Sequence, residues 1–266
     1  MPRAPWALAV AGFRRYATYR QATVAGAFTN VVFGFLRCYV MLAVADAAGG
    51  TIMGYSGPQL VSYVWLGQGL LAVVNSWVML DLADRVRSGD VVADLLRPIN
   101  PLWTYLWTDV GRAAFAMMTR FVAPLAIGML AFDFYVPENW ATYPLFAVSI
   151  VLAVLVSFVC RYLIGLSAFW LLDIRGVTIF WVFASSAASG LYFPLAVLPD
   201  WLSFGLWVAT PFPSLLQGPI DIAVERGGGG HVVFVLIVQL AWLGVLLVLA
   251  QWAQRAAVRK LVVQGG

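Results

Sequence analysis

Lysine and histidine each occur once in this chain and cysteine twice, and these shortages remove whole classes of chemistry. The lone Lys260 does not follow a glycine-rich turn, so no phosphate-binding loop of the Gly-x-x-x-x-Gly-Lys-Ser/Thr kind exists here. Any ATP energy must come from another chain. Cys38 and Cys160 lie within apolar runs, with no disulfide framework or metal motif around them. His231 follows four glycines and reads as a loop residue rather than a ligand. Without a His-Glu-x-x-His motif or an intramembrane lysine, hydrolysis inside a membrane lacks an acid–base pair. No catalytic residue and no metal ligand is assigned. Charge is scarce as well, at 11% of residues.

What is present is apolar. The chain is 62% hydrophobic, with a mean hydropathy of +0.88. Several runs of about 20 residues are almost free of charge, the length that crosses a bilayer as a helix. The runs are continuous rather than alternating, which excludes a spanning β-barrel. The expected fold is an all-α polytopic membrane protein, a single domain over residues 1–266. Six spans are expected, at residues 22–45, 59–80, 105–132, 143–171, 176–192 and 231–252. Residues 1–21 form a lead rather than a signal peptide: its apolar run is short, and Arg14, Arg15 and Arg20 follow it. Trp6, Val10, Phe13 and Ala17 share one helical face, as a helix lying on a membrane requires.

A pI of about 9.3 could suggest nucleic acid, but the basic residues sort by membrane side instead. Arg3, Arg14, Arg15, Arg20, Arg85, Arg87, Arg97, Arg175, Arg255, Arg259 and Lys260 fall on one side, against Arg226 alone on the other. The positive-inside rule then places both termini in the cytoplasm. Trp103, Tyr105, Trp107, Trp140, Tyr143 and Trp252 mark span edges at headgroup level.

The segment between spans two and three, 81–102, is charged and sharply punctuated. Asp90 is placed as a helix N-cap. Val91, Val92, Leu95 and Leu96 are expected to share a face from which Asp94 points away. Ser88-Gly89 breaks the preceding turn, and Pro98 restricts Arg97 and ends the helix. On local physics this is either an interfacial cap on the bundle or a docking helix for a soluble partner.

The run Asp84-Arg85-Val86-Arg87-Ser88-Gly89-Asp90, followed by Asp94-Leu95-Leu96-Arg97-Pro98, resembles the coupling loop of type-2 ATP-binding-cassette (ABC) exporter permeases. It is most similar to the small six-span bacterial subgroup without a fused ATPase. The resemblance implies that Arg85, Arg87, Ser88, Gly89, Asp90, Asp94, Leu95, Leu96, Arg97 and Pro98 engage an ATPase subunit dimer. It also implies that ATP and magnesium reside on that partner and that a second permease, related or identical, completes the pathway. The setting it implies is a bacterial inner membrane.

A second feature points the same way. Residues 193–230 separate spans five and six and are apolar where an outer loop would be polar. Apolar stretches too short to span suggest a re-entrant element. Two half-helices joined near Pro211 are expected, with Asp200, Asp221 and Glu225 nearer water; the alternative is a membrane-surface loop anchored by Trp201 and Trp207. Glycines 227–230 are expected to be flexible. The pattern of Gly190, Phe193, Pro194, Pro199, Trp201, Pro211 and Pro213 resembles the outer hairpin of the same permeases.

Charges within spans are costly. Asp109 and Arg112, three residues apart, are expected to pair. Arg37, Arg120 and Arg161 read as structural rather than as a substrate path. The competing functions are an ion-coupled secondary carrier, for which Asp109 is the one candidate carboxylate, and a membrane-embedded enzyme.

Overall fold

The computed structural model describes residues 3–74, 81–171 and 173–260. Helix α1 (Arg3–Ala17) leads into α2 (Arg20–Ala47). A small hairpin, β1 (Thr51–Ile52) with β2 (Tyr55–Ser56), follows, and α3 (Gly57–Val74) starts directly from it. Two short helices, α4 (Leu82–Ser88) and α5 (Val91–Leu95), precede α6 (Pro101–Ala116). A π-helical turn, Met117–Phe121, joins α6 to α7 (Val122–Ala131). Then come α8 (Thr142–Leu166), α9 (Arg175–Ala188), α10 (Asp200–Ala209), α11 (Gln217–Ala223) and α12 (Gly228–Arg259).

The described residues are all-α apart from that hairpin. Among the described residues, four helices are long and apolar enough to cross a membrane: Arg20–Ala47, Pro101–Ala131, Thr142–Phe169 and Gly228–Arg259. Helix α9, with 14 residues, is about 21 Å long at 1.5 Å per residue, shorter than the expected 176–192 span. The last part of the second expected span, 75–80, lies outside the described residues.

Helix α3 is the axis of the bundle. It is apolar nearly all round, so it has no face to give to solvent or lipid. Leu60, Tyr63, Trp65, Leu70 and Val74 are fully buried. Helices α2, α6, α7, α8 and α11 pack around it. The outer helices α2 and α12 instead leave large apolar side chains exposed, among them Phe28, Leu36, Ile237 and Val248.

Two local departures from regular helix have visible causes. The third expected span begins four residues early, because Asn100 caps α6 by accepting from the Leu102 N–H at 2.9 Å, with Pro101 at the first helical position. The π turn lies one helical turn before Pro124, which lacks an N–H and crowds the carbonyl four residues back.

Helix α1 does more than lie along an interface. Its closest neighbour is α6, and the two backbones touch. A Cβ added at Gly12 would come 2.1 Å from the Thr108 carbonyl oxygen, and one at Gly111 would come 1.9 Å from that of Ala9. Phe13 then meets Phe115 edge-on at 5.3 Å. The packed face is therefore centred on Gly12, while Trp6 is left exposed. Of the expected stripe Trp6 is exposed, while Val10, Phe13 and Ala17 are half-buried.

Candidate functional site

The helix directions give the bundle two ends. At one end sit the end of α3, the start of α6, the close of α8 and α12, and the α4–α5 loop. At the other sit β1–β2, the starts of α3, α8 and α12, and α11. Eighteen residues of α3 separate them, about 27 Å.

At the first end, left-handed Gly89 (φ 82°) stops α4 and turns the chain into α5. Asp90 makes no N-cap bond; its carboxylate takes the Ser88 hydroxyl at 2.8 Å instead. Asp94 reverses the sequence expectation. It is buried beside Val91, and Leu96 is the residue left 80% exposed. The reason is a charge clamp: Arg85 donates to both Asp94 oxygens, at 2.6 and 3.0 Å, and to the Asp90 carbonyl at 3.2 Å. The Tyr105 hydroxyl of α6 adds a third donor to Asp94 at 3.2 Å. This hydrogen bonding raises the Arg85 pKa further above its ordinary value. Arg87 pairs with Asp84 within α4. Leu95 is half-buried, while Leu96, Arg97, Pro98 and Ile99 form the exposed tip. Leu82 seats α4 against Gly165, near the end of α8.

Deeper, Asp109 pairs with Arg112 at 2.7 Å, as their spacing suggests. Arg161 of α8 joins from the other side at 2.7 Å. Arg112 also donates to the Ala72 and Val73 carbonyls, and Ser157 to that of Val74, all within 2.9 Å. One carboxylate and two guanidiniums thus tie α3, α6 and α8 together. Arg120 donates to the Ala22 carbonyl at 3.1 Å and holds α2. Arg37 is half-buried on α2, and its Nη2 is buried without a hydrogen-bond partner among the described residues.

At the second end, helices α10 and α11 stand on either side of Pro211. Asp221 is not near water: it is fully buried. It accepts from Tyr55 at 2.6 Å and from Gln217 at 2.8 Å, and lies 3.2 Å from His231 Nε2 and 3.8 Å from Arg226. Arg226 stacks over the Tyr55 ring at 4.6 Å. Burial, with the Asp221 charge beside it, pushes the Tyr55 phenol up. Gln217 in turn accepts from the Tyr63 hydroxyl at 2.7 Å and the Leu195 N–H at 3.0 Å. Gly190 has φ 83°, and a Cβ there would lie 2.3 Å from the Gln217 side-chain oxygen Oε1. Its own carbonyl shares the single Tyr63 O–H with Gln217, at 2.5 Å from the hydroxyl oxygen. Only glycine fits both demands.

Glu225 is half-buried, nearer water than Asp221. It accepts from Tyr135, Thr142, and the Glu138 and Asn139 N–H groups, at 2.6 to 3.0 Å. Burial opposes its ionisation, but these four donors outweigh burial and hold its pKa at about 2. Gln239 of α12 donates to the Ser214 carbonyl at 2.9 Å and the Ser149 carbonyl at 3.1 Å. His231 is in the first turn of α12, not in a loop, and residues 228–230 are helical rather than a flexible tether. Trp201 is exposed, whereas Trp207 is buried against Phe234.

The site residues named from sequence therefore separate into two groups at opposite ends. Arg85 to Pro98 form the α4–α5 tip, and Gly190 to Pro213 border α10. Sequence reading missed Tyr55, Tyr63 and Gln217, which fix the second group. The available signal was polar side chains inside apolar runs, since a buried amide or hydroxyl needs a partner. Among the described residues, no three His, Cys, Asp or Glu side chains cluster as a metal site would require.

The family model described as ABC-2 family transporter protein matches residues 28–265. No curated protein matches the chain.

Proposed function

The chain belongs to the ABC-2 transporter family of membrane proteins, and from that premise we propose that it is the transmembrane subunit of an ATP-driven exporter whose ATPase is a separate chain. The observation that carries this reading is the α4–α5 loop. Its tip exposes Leu96 and Ile99, while the Arg85–Asp94 clamp anchors it to the start of α6. A rigid loop with an exposed apolar tip suits a soluble partner that pushes on it. Movement of the tip would reach α6 through Tyr105, and the core of α3 and α8 through Asp109.

In this account six spans cross a bacterial inner membrane: α2, α3, α6 with α7, α8, α9 and α12. Both termini and the α4–α5 loop face the cytoplasm, as the eleven-to-one arginine and lysine distribution supports. The short α9 crosses together with residues 189–197, whose irregular backbone is sheltered by Tyr63 and Gln217 rather than by lipid. Helices α10 and α11 are the outer re-entrant hairpin. The buried Asp221–Gln217–Tyr55 network supports that, since a solvated loop would have no need to satisfy those groups internally. One chain supplies half a pathway, and a second permease, identical or related, supplies the rest. ATP and magnesium bind the partner ATPase dimer.

An ion-coupled carrier fits less well. The carboxylate it would use, Asp109, is held by two guanidiniums and is poorly placed to take up a proton or cation.

The test is co-expression with a soluble ATPase encoded beside the chain's own gene. Co-purification and ATP-dependent export are expected. An ATPase that never associates, with transport driven by an ion gradient instead, would overturn the reading.

A further inference from the structure

Between α1, the α4–α5 loop and the first turns of α6 lies a cavity of about 300 Å³. This is at the lower end of the range for small-ligand clefts. Five arginines and three aspartates line it, a formal surplus of two positive charges. Arg112 and Arg161 form its buried floor with Asp109. Arg85 and Asp94 make one wall. Arg15, beside Asp81, and Arg97 stand at the mouth, with side chains 57% and 58% exposed.

Arg97 is the least committed of these cations. It makes no hydrogen bond among the described residues, and its contact is a 3.7 Å approach to Asp94. That carboxylate is already held by both nitrogens of Arg85 and by Tyr105. The planar guanidinium of Arg97 is thus free to take two oxygens of an anion. A positive wall in a low-dielectric cleft focuses the field on an anion.

The surroundings favour a lipid. Leu8 and Pro101 make part of the rim apolar. At the same level, Trp103 and Trp107 stand half-exposed on α6, where indoles favour the headgroup layer. Basic pockets between helices at a membrane surface hold anionic headgroups.

We propose that this cavity binds the phosphate of an anionic phospholipid, clamped by Arg15 and Arg97 with the acyl chains lying outside along α1 and α6. The inference requires a membrane location but not the transport mechanism, so it stands or falls separately from the exporter reading.

The test uses the full chain purified in detergent, offered phosphatidylglycerol or phosphatidylcholine, with the retained lipid read by native mass spectrometry. The wild type should retain phosphatidylglycerol preferentially, and millimolar inorganic phosphate should not displace it. The double variant Arg15→Gln, Arg97→Gln should lose about thirtyfold of that preference, which is about 2 kcal/mol for two arginines. Arg97→Gln alone breaks no hydrogen bond among the described residues, so it spares the fold better than the double variant, and should lose about fivefold. The tail variant Arg255→Gln, Arg259→Gln removes the same charge outside the cavity and should retain lipid as the wild type does. Equal retention of the two lipids by the wild type would overturn the proposal. So would an unchanged preference in Arg97→Gln, or an equal loss in the tail variant. Displacement by inorganic phosphate would assign a free anion instead and overturn the lipid.

Discussion

Asp109 is the residue on which the middle of the bundle depends. It pairs with two guanidiniums from two helices, all three groups being buried. Removing one partner of a buried ion pair leaves charge with no compensation, which costs about 3–5 kcal/mol. Asp109→Asn should therefore lower the thermal midpoint of the detergent-solubilised chain markedly. An unchanged midpoint would mean that the two guanidiniums do not depend on it. Glu225 supplies a pH test at the other end. Its pKa is lowered from 4.5 to about 2, because four donors outweigh burial. A depressed carboxylate pKa gives stability that is complete above the unfolded value and is lost as pH falls through the folded one. Lowering the pH from about 5 to about 3 should thus cost the wild type stability, and Glu225→Gln should flatten that dependence. Parallel pH curves for the two proteins would contradict the assignment. The sequence made half of the Asp109 cluster legible. Asp109 and Arg112 are three apart on a helix, so their pairing follows from spacing; Arg161 is 52 residues away and joins only through the packing of α6 on α8. The Asp221 network was hidden for the same reason, since Tyr55 and Asp221 lie 166 residues apart.

Helix α1 shows how an element's role depends on one residue type. Its contact with α6 is backbone on backbone at Gly12 and Gly111, so any side chain there must part the helices. Gly12→Ala should cost about 1–3 kcal/mol, the usual range for overpacking, and should expose α1 to proteolysis. Protection equal to wild type would show that α1 is held elsewhere. The amphipathic stripe read from Trp6 and Val10 did not reveal this face, because small residues carry no hydrophobic signal. Helix α5 is a second case. Four apolar side chains around Asp94 suggested an apolar face with the acid turned out, yet Arg85 draws Asp94 inward and Leu96 is turned out instead. Leu96→Asp should accordingly leave the chain's stability within about 0.5 kcal/mol of wild type, as exposed substitutions do. Asp94→Asn should destabilise the loop by about 2 kcal/mol, the scale of a charged hydrogen bond lost. Equal effects of the two variants on stability would contradict the observed orientation of α5.

Taken whole, the molecule has a mechanical layout: a buried central helix, a clamped tip at one end and a hydrogen-bonded cluster at the other. The apolar runs and the punctuated 81–102 segment made the class and the tip legible. The shortness of α9 and the burial of α11 were not, because both follow from tertiary packing. We propose that the tip lies in the cytoplasm against an ATPase. With both native cysteines replaced, a cysteine at position 90 should react with an impermeant reagent only after the cytoplasmic face is opened. Labelling in intact cells would invert the topology. The most direct measurement of the central claim is a photo-crosslinker at position 96 in chains co-expressed with a candidate ABC ATPase subunit. The account predicts a crosslink to the ATPase from position 96 and none from position 201, at the far end of the bundle. A crosslink from position 201 with none from position 96 would contradict it.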